Sequence, residues 1–219
     1  MLFSGFTDRE FEIFTLPGFE TRMPAIRAEI TPKLKELGEQ LAPALREAAG
    51  REFHPHVAQH LRRTVNPPVE TWVAFSPSPR AYKPFIHFRV AINGEGLKVA
   101  CYLEEDAEDK PTFAEGLKRN AAALAEYMAR HPEIRCQDPR GELGSPAPPP
   151  DAAALTAFGE RLGSVKAQHA SFAIPFDRAH PAIASPAALA DAALGAMRTL
   201  LPIYRLGAEP GVVLDETES

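Results

Sequence analysis

The sequence predicts a single α+β domain spanning residues 1–219, an antiparallel sheet with a central hairpin flanked by helices, and three observations carry that reading. Apolar residues recur at helical spacing along residues 23–45, and two β-rich runs alternate around Asn93-Gly94. A lone late strand, at about residues 169–176, has no partner near it in sequence and must join the same sheet. At 219 residues, 45% hydrophobic and 24% charged, the chain is long enough to bury one sound core.

The first element is the stripe Met23, Ile26, Ile30, Leu34, Leu37, Leu41 and Leu45, one face of an amphipathic helix. Pro32 and Pro43 fall inside it, so two helical pieces with a kink are expected rather than one straight rod. A short polar helix is expected next, over His56–Thr64, opened by Pro55 and closed before Asn66-Pro67-Pro68. The runs Glu70–Ser76 and Phe85–Ile92 read as strands. Asn93-Gly94-Glu95-Gly96 turns the second into Leu97–Leu103, with Ile86, Phe88, Val90, Ile92, Leu97, Val99 and Cys101 facing the core.

Residues 104–110 read as an acidic, solvated loop and residues 115–130 as a surface helix. The proline-rich run 141–150 reads as a surface loop within the domain, because the 69 residues beyond it hold too little to stand alone. They offer a helix over 151–162, the late strand, and a helix over 186–201 with Ser185 as cap and Pro186 in the first turn. Residues 215–219 form an acidic tail expected to fray.

No apolar run approaches the roughly 18 residues that span a bilayer, so no membrane partner is expected. Asp8, Glu10 and Glu12 sit where a secretory signal needs a basic and then apolar start, which predicts a cytoplasmic location. Cys101 and Cys136 lie far apart and outside any C-x-x-C spacing, so both read as reduced packing residues. No sequence feature calls for a cofactor.

Charge is unevenly placed. Between residues 46 and 90, Arg46, Arg51, Arg62, Arg63, Arg80, Lys83 and Arg89 face only Glu47, Glu52 and Glu70, in a chain whose net charge is −5. The same segment holds His54, His56, His60 and His87 and the single tryptophan, Trp72. On the expected helix, His56, Gln59, His60 and Arg63 share one face. On the hairpin, His87 and Arg89 stand about 7 Å apart opposite the core, with Lys98 and Tyr102 beside them. Three readings compete: a metal held by His56 and His60, an anion site built on arginine and histidine, and an ordinary solvated face. Arg63 would repel a cation and no H-E-x-x-H pattern is present, so no metal ligands are assigned.

These residues carry a resemblance. Gly5-Phe6-Thr7-Asp8, the helix from Arg22 to Leu45, the run from His56 to Pro68, Thr71-Trp72-Val73-Ala74-Phe75, Tyr82-Lys83 and His87-Phe88 are similar to the YktB-like family of bacterial proteins. The likeness reaches Leu200-Leu201-Pro202-Ile203-Tyr204. It implies an α+β fold with an antiparallel sheet flanked by helices, and it brings no catalytic residues. The chain departs from that pattern at Gln59, Ala81 and Ile86, where lysine, glycine and proline are usual.

The expected function is binding of a small phosphorylated ligand, or of a nucleic-acid backbone with a small footprint, through His56, His60, Arg62, Arg63, Tyr82, Lys83, His87 and Arg89; Trp72 and Tyr82 could stack on a base, although a tryptophan in an apolar strand is more often core. The alternative is a metal-independent phosphoryl-transfer or hydrolytic enzyme, with His56 or His60 as base and His87 as acid. A third reading is a protein–protein interaction module whose acidic and basic faces meet partners or another copy.

Overall fold

The computed structural model describes residues 3–137 and 149–214. Six strands, β1 His54–Val57, β2 Glu70–Ser76, β3 His87–Asn93, β4 Gly96–Leu103, β5 Arg135–Gln137 and β6 Ala170–Asp177, make one sheet in the order β1-β2-β3-β4-β6-β5. Every neighbouring pair is antiparallel. The helices are α1 Asp8–Glu12, α2 Phe19–Ala25, α3 Thr31–Ala49, α4 Lys110–Arg119, α5 Ala121–Arg130, α6 Ala152–Ser164 and α7 Pro186–Ala208. This is the α+β architecture expected, and the late strand does join the central sheet, against β4. Most of the proline-rich run 141–150, and all of 215–219, lie outside the described residues.

The apolar stripe forms as read, with Leu34, Leu37, Leu41 and Leu45 of α3 all buried. Its interruption is a π-type turn at Ile26–Ile30, between α2 and α3, and Pro32 follows directly on this wider turn, where the helical ladder is already broken. Gly38 sets the seating of α3: a Cβ there would stand 2.8 Å from Pro55 Cβ and 2.9 Å from Val73 Cγ2. The glycine sacrifices helix propensity so that the helix can lie close on β1 and β2.

The hairpin between β3 and β4 is a tight one. Ile92 pairs with Leu97, and Asn93 Oδ1 accepts from the backbone N–H of Glu95 and Gly96. The core face of the sheet is therefore the one assigned from alternation, with Phe88, Val90, Ile92, Leu97, Val99 and Cys101 buried. Tyr204 of α7 stacks on Phe88 with centroids 4.8 Å apart, and Phe113 of α4 and Phe158 of α6 pack on Phe172 of β6. All of these contacts lie on one side of the sheet.

Three expectations need correction. The expected helix over His56–Thr64 does not form: His54–Val57 is an edge strand, with His54 opposite Ser76 and Val57 opposite Val73. Hydrogen bonding to β2 and packing of Pro55 beneath Gly38 outweigh a local helical pattern, and an edge strand tolerates Pro55. The surface helix expected over 115–130 is two helices that begin earlier, inside the acidic segment, and break at Asn120. The last helix continues through Pro202 to Ala208, because Tyr204 and Leu206 are each 1% exposed and their burial offsets the roughly 3 kcal/mol cost of an internal proline.

Candidate functional site

The face of the sheet opposite the helix layer is where β2, β3, β4 and β6 bring the charged and aromatic residues together. Cross-strand pairing lines them up: Ala74, Arg89, Ala100 and Ala173 lie in one row, and His87, Tyr102 and Ser171 in the next. Alanines beside Arg89 leave room for its long side chain to lie flat on the sheet. Trp72 and Tyr102, from the flanking strands, and Tyr82, from the loop joining β2 to β3, then close over it.

Arg89 is only 5% exposed. Its guanidinium carbon lies 3.6 Å from the Tyr102 ring centre, 4.5 Å from that of Trp72 and 5.5 Å from that of Tyr82. Burying such a cation is tolerable because Nη2 pairs with Glu104 Oε1 at 2.5 Å and Nε donates to His87 Nε2 at 2.7 Å. His87 is fully buried, and its Nδ1 donates to the Phe85 carbonyl at 2.7 Å. One imidazole nitrogen is thus a donor and the other an acceptor, which fixes the neutral tautomer. Burial first, and the Arg89 charge second, hold the His87 pKa well below the ordinary histidine value. Burial also raises the hydroxyls of Tyr82 and Tyr102, the latter to about 12.

The rings extend outward from this centre. Tyr102 stacks on His169 at 5.5 Å with 17° between planes, and Tyr82 contacts both His87 and His56. His56 Nε2 donates to the Ser78 carbonyl, which ties β1 to the loop carrying Tyr82. On the other side His60 meets Trp72 edge-on at 5.3 Å and bonds Thr71 Oγ1 at 3.0 Å. His60 holds a left-handed backbone, φ 50°, where the chain leaves β1. A turn, not a helix, therefore leads the chain away from His56.

Of the eight residues expected to share a site, the structure therefore gathers His56, Tyr82, His87 and Arg89 directly, and links His60 to them through Trp72. Arg62, Arg63 and Lys83 are exposed on loops at the two ends of β2, as is Arg80. Among the described residues these four make no ion pair. The expected unscreened cationic sheet face is not formed: Arg89 pairs with Glu104, and Lys98 pairs with Glu70 at 2.6 Å. The free positive charge sits on the loops instead.

The paired-histidine chemistry meets an obstacle in this geometry. Both nitrogens of His87 are occupied within the protein, and His60 is pushed down to about 4 by burial, then by Arg63. A neutral imidazole with no free nitrogen has no proton to deliver to a substrate. The described His, Cys, Asp and Glu side chains include no group of three disposed to hold a metal ion.

Glu104 and His169 belong to this cluster although the sequence pattern left them outside the expected site, and so does Trp72, for which a core position is the favoured expectation. For Trp72 a signal existed: Val73 and Phe75 face the core, so strand alternation puts Trp72 on the other side. Glu104 and His169 gave none, since their partners lie 15 and 67 positions away in sequence.

The depressed His60 pKa has a measurable consequence. The folded value of about 4 lies below the ordinary 6.5, so unfolding takes up a proton between those limits. The contribution of neutral His60 is fully present above pH 6.5 and is lost as pH falls toward 4. The expected loss, after allowing for partial exposure, is on the order of 1–2 kcal/mol. Urea melts of the wild type and His60→Gln between pH 7.5 and 4.5 check it: the wild type should lose more stability on acidification. Parallel curves contradict the assignment.

Comparison with known proteins places this chain in a family. Residues 6–204 match the profile of a domain of unknown function, DUF1054. A UPF0637 protein of Staphylococcus aureus strain MSSA476 is 40% identical over 119 residues, covering 54% of this chain and 58% of that protein. A UPF0637 protein of Staphylococcus aureus strain MW2 matches to the same extent. The chain thus aligns with little more than half the length of these relatives. No described helix is long and apolar enough to cross a membrane.

Proposed function

For this chain, which belongs to the DUF1054 family, we propose binding of a small phosphorylated ligand at the helix-free face of the sheet. The observation that carries the reading is the layer of partly buried rings, Trp72, Tyr82, Tyr102, His56 and His169, assembled over the caged Arg89 and flanked by unpaired arginine and lysine. Arg62, Arg63, Arg80 and Lys83 bracket the ring layer with donors suited to phosphate oxygens. His87 and Glu104 act as supports, holding Arg89 and hence the rings in place.

The ligand is small by the same reasoning. Glu104, Glu105, Asp106 and Glu108 come directly after β4, and Glu108 N–H bonds the Pro84 carbonyl in the loop that carries Tyr82 and Lys83. An extended polyanion leaving the site in that direction meets the exposed carboxylates of Glu105, Asp106 and Glu108, which repel it. The net charge of −5 works in the same sense.

The test is a titration monitored by the emission of Trp72, the single tryptophan, at 20 mM and 200 mM salt. A phosphorylated ligand is expected to change the emission with an affinity that weakens at the higher salt. The double variant Arg62→Ala/Arg63→Ala should bind about 10-fold or more weakly, since charge-assisted hydrogen bonds contribute roughly 1.5–3 kcal/mol each. Absence of any response at low salt contradicts the proposal.

A further inference from the structure

The ring layer is more than a boundary for an anion, and what it adds concerns the other half of the ligand. Trp72, the guanidinium of Arg89, Tyr102 and His169 form a run of planar groups, with Arg89 Cζ 4.5 Å from the Trp72 ring centre and 3.6 Å from that of Tyr102, and with Tyr102 and His169 nearly parallel. Phosphate alone has no use for such a run. A planar heterocycle does, because a flat ring stacked on tryptophan gains dispersion and, with an arginine beneath, cation–π stabilisation.

The polar atoms on this face point the same way. Ser171 Oγ is buried without a hydrogen-bond partner, 1% exposed beside Tyr102, and Trp72 Nε1 turns toward the Tyr82 hydroxyl. Buried orphan groups are few in a well-packed protein, and Ser171 Oγ is one of them on this face. Geometry also ties a ring subsite to a phosphate subsite. His60 lies against Trp72 at 5.3 Å, and Arg63, close enough to His60 to lower its pKa, comes three residues later on the loop carrying Arg62.

We propose that the outer surface of Trp72 is a stacking platform for a nucleobase, and that the ligand is a mononucleotide whose phosphate reaches Arg62 and Arg63. This rests on the phosphorylated-ligand reading above and narrows it to a ring-bearing class. The caged Arg89 stays beneath the platform and keeps Trp72 fixed, so the base meets a surface already ordered. The acidic turn after β4 limits the occupant to a single nucleotide.

The experiment uses the full chain and four probes, adenosine 5′-monophosphate, ribose 5-phosphate, inorganic phosphate and adenosine, with heats of binding and Trp72 emission read together. Adenosine 5′-monophosphate is expected to bind at least 10-fold more tightly than ribose 5-phosphate and to quench Trp72. Trp72→Leu should abolish that preference, and Arg62→Ala/Arg63→Ala should bring the nucleotide down to the affinity of adenosine. Circular dichroism and an unchanged urea midpoint certify that each variant is folded; if Trp72→Leu fails that check, Trp72→Phe, which keeps a ring, should retain part of the preference. Ribose 5-phosphate binding as tightly as the nucleotide overturns the stacking platform while leaving the phosphorylated-ligand reading intact. No binding by any of the phosphorylated probes overturns both.

Discussion

Replacing Arg89 by methionine is expected to destabilise the protein by about 3–5 kcal/mol, the range found when one partner of a buried ion pair is removed. The Glu104 carboxylate is left beside the sheet without its partner, and the lone pair of His87 Nε2 loses the donor supplied by Arg89. The cage itself loses its filling, because Trp72, Tyr82 and Tyr102 all pack on the guanidinium. Glu104→Gln alone is expected to cost less, since a neutral amide can still accept from the guanidinium, although the buried cation loses its counter-charge. The double variant should be less destabilised than the sum of the singles, by roughly 0.5–3 kcal/mol of coupling. Urea midpoints of the four proteins give the cycle. Simple additivity would mean that the pair is incidental to the fold.

The second large effect lies away from the site. Asn120, 3% exposed, breaks the chain between α4 and α5 and uses its amide three times. Nδ2 donates to the carbonyls of Gly116 and Val212, and Oδ1 accepts from the N–H of Leu214. One side chain therefore ends a helix and pins the segment beyond α7, some 94 positions later. Asn120→Ala should cost about 2–3 kcal/mol, close to 1 kcal/mol per lost bond. Hydrogen exchange should show Leu214 losing its protection before the strands do. Unchanged protection at Leu214 would show that its burial, at 8% exposure, suffices to hold it.

How much of the fold was legible in the sequence depends on the range of the interactions involved. Strand alternation and the Asn93-Gly94 turn depend on neighbours a few residues apart, so the hairpin, its register parity and the face carrying His87 and Arg89 could be read directly. The α3 stripe and the Ser185-Pro186 helix start are equally local. The segment from Pro55 to Thr64 misled for the complementary reason. Its helical pattern is local, whereas the pairing that makes its start a strand comes from β2, with Pro55 opposite Phe75. Asn120 was silent because the groups that it satisfies, at Val212 and Leu214, lie at the far end of the chain.

The site divides along the same line. Residue types and strand parity were enough to collect His87, Arg89, Lys98 and Tyr102 on one face, but not to say that the first two are buried and that Glu104 and Glu70 neutralise the cations. The consequence was large. A face that reads as a basic patch in sequence is an aromatic layer over an internally satisfied arginine, and the basic groups open to a ligand belong to the loops before and after β2.

The most direct test of that picture uses the indole N–H of Trp72, which gives one resolvable signal because the chain has one tryptophan. Adenosine 5′-monophosphate added to uniformly 15N-labelled protein should shift that signal, together with the backbone amides of Arg62 and Arg63, in a saturable and salt-sensitive manner. An indole signal that stays in place while amides elsewhere respond, or a spectrum that does not respond at all, would contradict the assignment of this face as the ligand site.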